Sequence, residues 1–243
     1  MRGLNLGLSM AAPAPRPTPL TILPDVCYWA RGDNVTLNGA TASAWPDKSG
    51  KGNVFAQATG AKQPTWNEAD SDFNGLPSLT FNGTSNFFQC NAFTKGTGNA
   101  FFIWCVAKLQ SVANYNMVWS EDGATGEEFR FDVTTGYPDM LTGYTLNFIA
   151  NPISCLNVTK AVYGFDLGAG GAHGLGVSVS NGATVTSSST AHTTIDPTPI
   201  TLGSRNSGFY FGGKMADIVV SSTMPGAQQL AALQAYGQRY GNV

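Results

Sequence analysis

Ala100-Phe101-Phe102-Ile103-Trp104-Cys105-Val106-Ala107-Lys108 is apolar throughout until its final lysine. The run is too short to span a membrane and carries no polar alternation. It therefore reads as a β-strand in the middle of a sheet, covered on both faces. Working outward, shorter strand signals surround it. Val26–Trp29, Thr41–Trp45, Pro77–Phe81 and Phe87–Phe93 precede it. Met117–Ser120, Glu128–Val133 and Tyr144–Ala150 follow. Lys160–Asp166 and Gly174–Ser180 look like a pair, Asn181-Gly182 is a hairpin signal, and Ala183–Ser187 returns. Ile200–Gly203 and Phe209–Val220 complete the series. Short strands at this rhythm, separated by turn residues, indicate an all-β sandwich. One helix is predicted near the end: Pro225 suits its first turn, Leu230, Leu233, Tyr236 and Tyr240 fall at helical spacing, and Gly241 stops it. Its apolar stripe is narrow, which places it on the surface of the sandwich.

Composition agrees. Charged residues are 12% of the chain, and 29 glycines serve many turns, which suits strands rather than a helical bundle. The formal net charge of −2, with no basic run, excludes a nucleic-acid footprint. No apolar stretch is long enough for a membrane helix, so no membrane insertion is expected. Cys27, Cys90, Cys105 and Cys155 form no C-x-x-C pair, which argues against zinc and thioredoxin chemistry. Their hydrophobic neighbours favour buried free thiols, with disulfides as the alternative. Residues 1–20, with a Pro-rich run from Pro13 to Pro19, read as an extended N-terminal arm, and residues 21–243 as one domain. A cleavable leader ending near Ala12–Ala14 is the alternative reading of the arm.

Several segments resemble the laminin G-like jelly rolls of the concanavalin A-like superfamily. Trp45-Pro46-Asp47-Lys48-Ser49-Gly50-Lys51-Gly52-Asn53 matches a W-x-D-x-S-G-x-G-N turn. Gln63-Pro64 is followed by Asn74-Gly75-Leu76-Pro77-Ser78-Leu79-Thr80-Phe81-Asn82-Gly83, an N-G-x-P-x-x-x-F-x-G block. Ile200-Thr201-Leu202-Gly203 and Phe211-Gly212-Gly213-Lys214-Met215-Ala216-Asp217-Ile218 form the third, with Asp217 where the family usually has Glu. The resemblance spans roughly residues 22–241 and implies a concanavalin A-like jelly-roll β-sandwich with one C-terminal helix. The opening Met1-Arg2-Gly3-Leu4-Asn5-Leu6-Gly7-Leu8 is similar to the starts of tailed-bacteriophage structural proteins that carry such domains.

Candidate sites are few. Trp45, Asp47, Ser49 and Gly50 read as a structural turn in which Asp47 and Ser49 bond turn amides. Asp70-Ser71-Asp72-Phe73-Asn74-Gly75 opens like a calcium loop, but Phe81 stands where the twelfth-position Glu is required, so calcium is disfavoured. The glycine-rich run Gly168–Gly174 lacks the third glycine of a phosphate loop and reads as a hairpin loop. His173 and His192 lack metal-ligand spacing, so no metal and no cofactor are expected. Glycoside cleavage needs two carboxylates facing one bond. Glucanases of the superfamily carry E-x-D-x-E on one strand. Here Glu128 and Asp132 flank Arg130, whose guanidinium is expected to depress both carboxyl pKa values and so to disfavour a general acid. Tyr115, Trp119, Tyr137 and Tyr144, near Asn114, Asn116, Glu121 and Asp122, are the candidates for stacking a sugar, with core packing as the alternative.

These readings lead to an expectation of a non-catalytic virion protein: a capsid decoration, head fibre or tail attachment protein. Its arm would hold other virion proteins, its jelly roll would touch host cell-surface polysaccharide, and it would act as a homo-oligomer or as lattice-bound copies. The alternative is a secreted bacterial carbohydrate-binding module, and after it a glycoside hydrolase.

Overall fold

The computed structural model describes residues 16–98, 100–112, 115–121, 127–142, 145–147, 154–167, 172–177, 185–188, 199–205, 208–241 and 243. Its strands are β1 (Val26–Arg31), β2 (Thr36–Asn38), β3 (Thr41–Pro46), β4 (Val54–Ala56), β5 (Thr65–Asp70), β6 (Leu76–Asn82), β7 (Phe88–Cys90), β8 (Phe101–Leu109) and β9 (Asn116–Glu121). They continue with β10 (Glu127–Phe131), β11 (Pro138–Thr142), β12 (Thr145–Asn147), β13 (Lys160–Asp166), β14 (Ala172–Val177), β15 (Val185–Ser188), β16 (Ile200–Leu202) and β17 (Gly212–Ser221). Among the described residues the α-helices are α1 (Pro19–Ile22) and α2 (Ala227–Gly237). The expected all-β class holds.

The strands form two layers. In the back sheet β17 is the hub: it pairs antiparallel with β8 along its length, and on its other side with β6 and then β1. Beyond β8 follow β13, β14 and β15. The front sheet runs β4, β7, β16, β9, β10, β11, β12. Strand β3 pairs with β4 and, through Thr41 opposite Thr65, with β5, so the two layers are joined at one edge.

Strand β8 shows why the opening stretch decides the fold. Phe101, Ile103, Cys105, Ala107 and Leu109 join the core between the sheets, with Trp45, Phe55, Trp119, Phe129 and Phe211. Phe102, Trp104 and Val106 point the other way, into a second apolar layer with Trp29, Tyr163, Val219, Leu233, Tyr236 and Tyr240. Both faces are buried, as the unbroken apolar run requires. Each large side chain so buried contributes roughly 1.5–3 kcal/mol.

The second layer lies between the back sheet and the helices. Helix α2 packs there through Leu233 and Tyr236, and Tyr240 follows in a 3-10 turn ended by Gly241 (φ 106°). Its N-cap is Gly226, whose N–H donates to Gln229 Oε1 at 2.8 Å, so Pro225 precedes the cap instead of occupying the first turn. At its centre Asp217 is fully buried and accepts bonds from Trp29 Nε1 (3.1 Å), Tyr236 Oη (2.7 Å) and Tyr240 Oη (2.8 Å). The arm expected to be extended to residue 20 instead forms α1 from Pro19, with the Thr18 N–H bonded to Thr21 Oγ1 and Ile22 in the second apolar layer. Residues 1–15 lie outside the described part.

The Trp45–Gly50 turn is organised around the Asp47 carboxylate. Asp47 Oδ1 accepts from the Trp29 and Ser49 N–H groups, and Oδ2 from Ser49 Oγ and the Gly52 N–H. Gly50 stands at φ 87°, a left-handed conformation that favours glycine. Trp45 is fully buried and donates through Nε1 to the Arg31 carbonyl. All four cysteines are buried and free. Among the described residues no helix is long and apolar enough to cross a membrane.

Candidate functional site

The front sheet supplies the most chemically distinctive face. Along β10, Phe129 and Phe131 turn inward, and Met140 of β11, opposite Phe129, joins them in the core. Alternation then sends Glu128, Arg130 and Asp139 to the opposite face, with Asp139 directly across from Arg130. Arg130 Nε donates to Asp139 Oδ2 at 2.9 Å, and Nη2 lies 2.9 Å from the same oxygen. Glu128 Oε2 is 3.7 Å from Arg130 Nη1, and Glu128 Oε1 is 2.8 Å from Arg205 Nε. The Glu128, Arg130 and Asp139 side chains are at most 5% exposed.

Burial dominates the electrostatics. Desolvation pushes the Glu128 pKa up against the opposing pull of Arg205 and Arg130. Asp139 is likewise pushed up by burial, against Arg130. This corrects the expectation that the central guanidinium would depress the neighbouring carboxyls. The expected partner is also wrong. Asp132 lies past the end of β10 and caps a turn, where amides of Thr134 and Thr135 and the Thr135 hydroxyl overcome desolvation and hold its pKa down. The pair on one face is Glu128 and Asp139. Asp139 escaped the sequence reading because Pro138 hides the start of β11; only the cross-strand register reveals it.

An aromatic rim adjoins this network. The Tyr115 ring lies 4.2 Å from the Arg130 guanidinium carbon, a cation–π contact. Phe209 stands edge-on to Tyr115, with centroids 5.7 Å apart and planes at 71°. Phe209 is 43% exposed, and its φ of 51° puts a bulky residue in left-handed backbone. Such conformations are strained, and they concentrate at functional sites. Just before it, Arg205 and Gly208 exchange backbone hydrogen bonds. Nothing in the sequence marks Phe209 apart from its aromaticity.

The proposed sugar-stacking residues are divided by the fold. Tyr115 and Tyr137 are half-buried and flank the same end of the front sheet, since Asn116 and Pro138 both pair with Phe131. Trp119 is fully buried against Phe55, Phe93 and Phe101, at centroid distances of 5.6, 5.4 and 5.7 Å. It faces the core from a bulged strand and offers no ring face to a sugar, which corrects its assignment. Tyr144 lies outside the described residues. Asn116 is engaged structurally, accepting from the Gly212 N–H at 2.7 Å and donating to the Ser111 carbonyl at 2.9 Å.

The acidic 70–75 segment holds ammonium groups. Lys214 Nζ lies 3.1 Å from Asp70 Oδ1 and 2.8 Å from Asp72 Oδ2, and Lys108 Nζ lies 2.6 Å from Asp72 Oδ1. Hydrogen bonds from Lys108 and Lys214 keep the Asp72 pKa low. Among the described residues no group of three or more His, Cys, Asp or Glu is arranged to hold a metal ion.

No family model and no curated protein matches the chain. Solved structures do. A GH54 α-L-arabinofuranosidase soaked with a cyclic sulfate inhibitor aligns at TM-score 0.55 and 16% identity, covering 90% of this chain and 60% of that one. An arabinofuranosidase complexed with arabinofuranosyl-α-1,2-xylobiose aligns at TM-score 0.57 and 17% identity, over 88% of this chain and 59% of the other. Trypanosoma rangeli sialidase aligns at TM-score 0.57 and 13% identity, over 90% of this chain and 34% of that chain. This chain thus spans well under two thirds of each. At these identities the likeness shows the fold, a β-sandwich of a kind found in proteins of carbohydrate chemistry. The expectation of a non-catalytic chain is withdrawn, since the proteins that share the fold are themselves named as glycosidases and a sialidase.

Proposed function

We propose that this chain is a carbohydrate-active β-sandwich whose glycan sits on the Tyr115–Phe209 rim, beside the buried Glu128–Arg130–Asp139 network. The observation that carries the reading is Phe209: an exposed aromatic held in left-handed backbone against Tyr115. A sugar's apolar face stacks on such a ring, and neighbouring polar groups bond its hydroxyls. The structural neighbours supply the ligand classes to try first, since their names record an arabinofuranosyl xylobiose and, for the sialidase, sialic acid. Glu128 and Asp139, whose proton affinity is raised by burial, are the carboxyls to test for a general-acid role.

The test is calorimetric titration of arabinoxylan oligosaccharides and sialosides into the wild type and into a Tyr115→Ala, Phe209→Ala double variant. Alongside it, release of nitrophenol from 4-nitrophenyl α-L-arabinofuranoside is followed for the wild type and for Glu128→Gln. Binding lost in the double variant supports the rim. Turnover lost in Glu128→Gln assigns the acid. Binding that survives the double variant unchanged rules the rim out.

A second reading concerns location. The opening Met1–Leu8 favours a virion component fastened through its first twenty residues, with repeated copies presented to host polysaccharide. Mass spectrometry that finds the intact N-terminus in purified particles supports it. A chain cut near Ala12–Ala14 and free in the medium supports a secreted module instead.

A further inference from the structure

On the side of the molecule away from the front sheet, a cavity of about 440 Å³ lies between the N-terminal segment and the last turns of the C-terminal helix. Its lining is Arg16 and Pro17 on one side, with Ala232, Ala235, Tyr236, Gln238 and Arg239 on the other. The volume falls within the usual range of roughly 300–1,000 Å³ for small-molecule sites. The walls are largely apolar, from proline, two alanines and the tyrosine ring.

The charges in this cavity are all of one sign. No carboxylate is among the lining residues. Neither Arg16 nor Arg239 has an ion-pair partner among the described residues, whereas Arg31, Arg130 and Arg205 each sit within 4 Å of a carboxylate. Arg239 is held over the Tyr236 ring, 4.7 Å from its centroid, which fixes its guanidinium at the cavity wall. A basic residue at a helix C-terminus is favoured by the helix dipole, which accounts for Arg239. It does not account for Arg16, which comes from a separate segment and brings a second cation to the same space. Two cations facing one apolar-walled cavity repel each other unless an anion lies between them.

We propose that this cavity binds a small organic anion with a flat apolar body. The anionic head would pair with Arg16 and Arg239, and the body would lie against Ala232, Ala235 and Pro17. The fork of a guanidinium suits the oxygens of a carboxylate, sulfonate or phosphate alike. Tyr236 ties the site to the fold, because the residue that carries Arg239 on its ring also bonds the buried Asp217. The site is independent of the glycan rim.

The test uses naphthalene-2-sulfonate as the probe and 2-naphthalenemethanol as its neutral counterpart. Both are titrated by calorimetry into the full chain, and into Arg239→Gln, Arg16→Gln and Ala235→Trp. The last fills the cavity while keeping both charges, at a position exposed to solvent. The expected result is saturable binding of the sulfonate, at least tenfold stronger than that of the alcohol. It falls at least tenfold in each arginine variant and disappears in Ala235→Trp, with thermal midpoints unchanged. The proposal is overturned if the sulfonate does not bind, if the alcohol binds equally well, or if Ala235→Trp binds like the wild type. A variant with a lowered midpoint is replaced by Arg239→Lys. This keeps the charge but loses the fork, and should bind with intermediate strength.

Discussion

Tyr236 of α2 donates its phenolic hydrogen to the carboxylate of Asp217 on β17 across 2.7 Å, inside a layer closed to solvent. Tyr240 and the Trp29 indole donate to the same carboxylate, so one anion pins the helix to the sheet. Desolvation nevertheless outweighs those bonds and raises the Asp217 pKa to about 6. The folded state therefore holds this proton more tightly than the unfolded chain does. The group weakens stability as pH rises from about 4 to about 6, by ~3 kcal/mol in all, and contributes no such penalty below that window. Asp217→Asn removes the titration. Urea unfolding at pH 4 and at pH 7 should show the variant gaining on the wild type between the two.

Asp47 is the chief acceptor of its turn, taking bonds from the Trp29, Ser49 and Gly52 amides and from the Ser49 hydroxyl. Asp47→Ala should cost about 2 kcal/mol in denaturant unfolding. Asp47→Asn keeps one acceptor oxygen and should recover part of the loss.

Gly32 has no room for a methyl group. A Cβ there would stand 2.1 Å from the Pro77 carbonyl oxygen, a backbone atom that cannot swing aside. Gly32→Ala should destabilise by about 3 kcal/mol. Gly39→Ala, where nothing lies within 4 Å but φ is +63°, should cost less; paired thermal melts compare the two.

Arg130 is the counter-charge of two buried carboxyls. Arg130→Met should cost about 3–5 kcal/mol at pH 7, because Asp139 loses its guanidinium partner and Glu128 keeps only Arg205. The loss should be smaller at pH 4 than at pH 7, because burial raises the proton affinity of both carboxyls and they shed charge as the pH falls. Unfolding midpoints of the variant and the wild type at the two pH values measure this.

Trp119 and Tyr115 set packing against the proposed glycan rim. Trp119→Ala should lose about 3–5 kcal/mol of stability through the cavity it leaves. Tyr115→Ala should leave the thermal midpoint near that of the wild type and abolish glycan retention on affinity electrophoresis.

The layers were legible because β8 is apolar on both faces, and the helix because its apolar spacing is regular. Strands β2, β4 and β5 were not, since their exposed or half-exposed residues carry no apolar signature: Thr36–Asn38 is exposed throughout, and Thr65–Asp70 buries only Asp70. The turn at Trp45–Gly50 could be read because the Asp47 bonds to Ser49 and Gly52 are local. The Glu128–Asp139 pairing could not, because it depends on register between two strands and on desolvation, and neither is written in residue order. Phe209 was missed because its distinction lies in a backbone angle.

Strand β17 separates β8 from β1 and β6, yet it is made after every other strand of the sandwich. During synthesis β8 therefore waits more than a hundred residues for the neighbour that covers its edge, and its two apolar faces need keeping from other nascent chains meanwhile. The bond between Trp29 and Asp217 joins residues 188 apart in the chain. Separations of this size make folding slow and place the risk of aggregation in the interval before completion. For this molecule, ribosome pausing or truncation ahead of Gly212 leaves a chain whose central strand is paired on one edge only, by β13, with the other edge open.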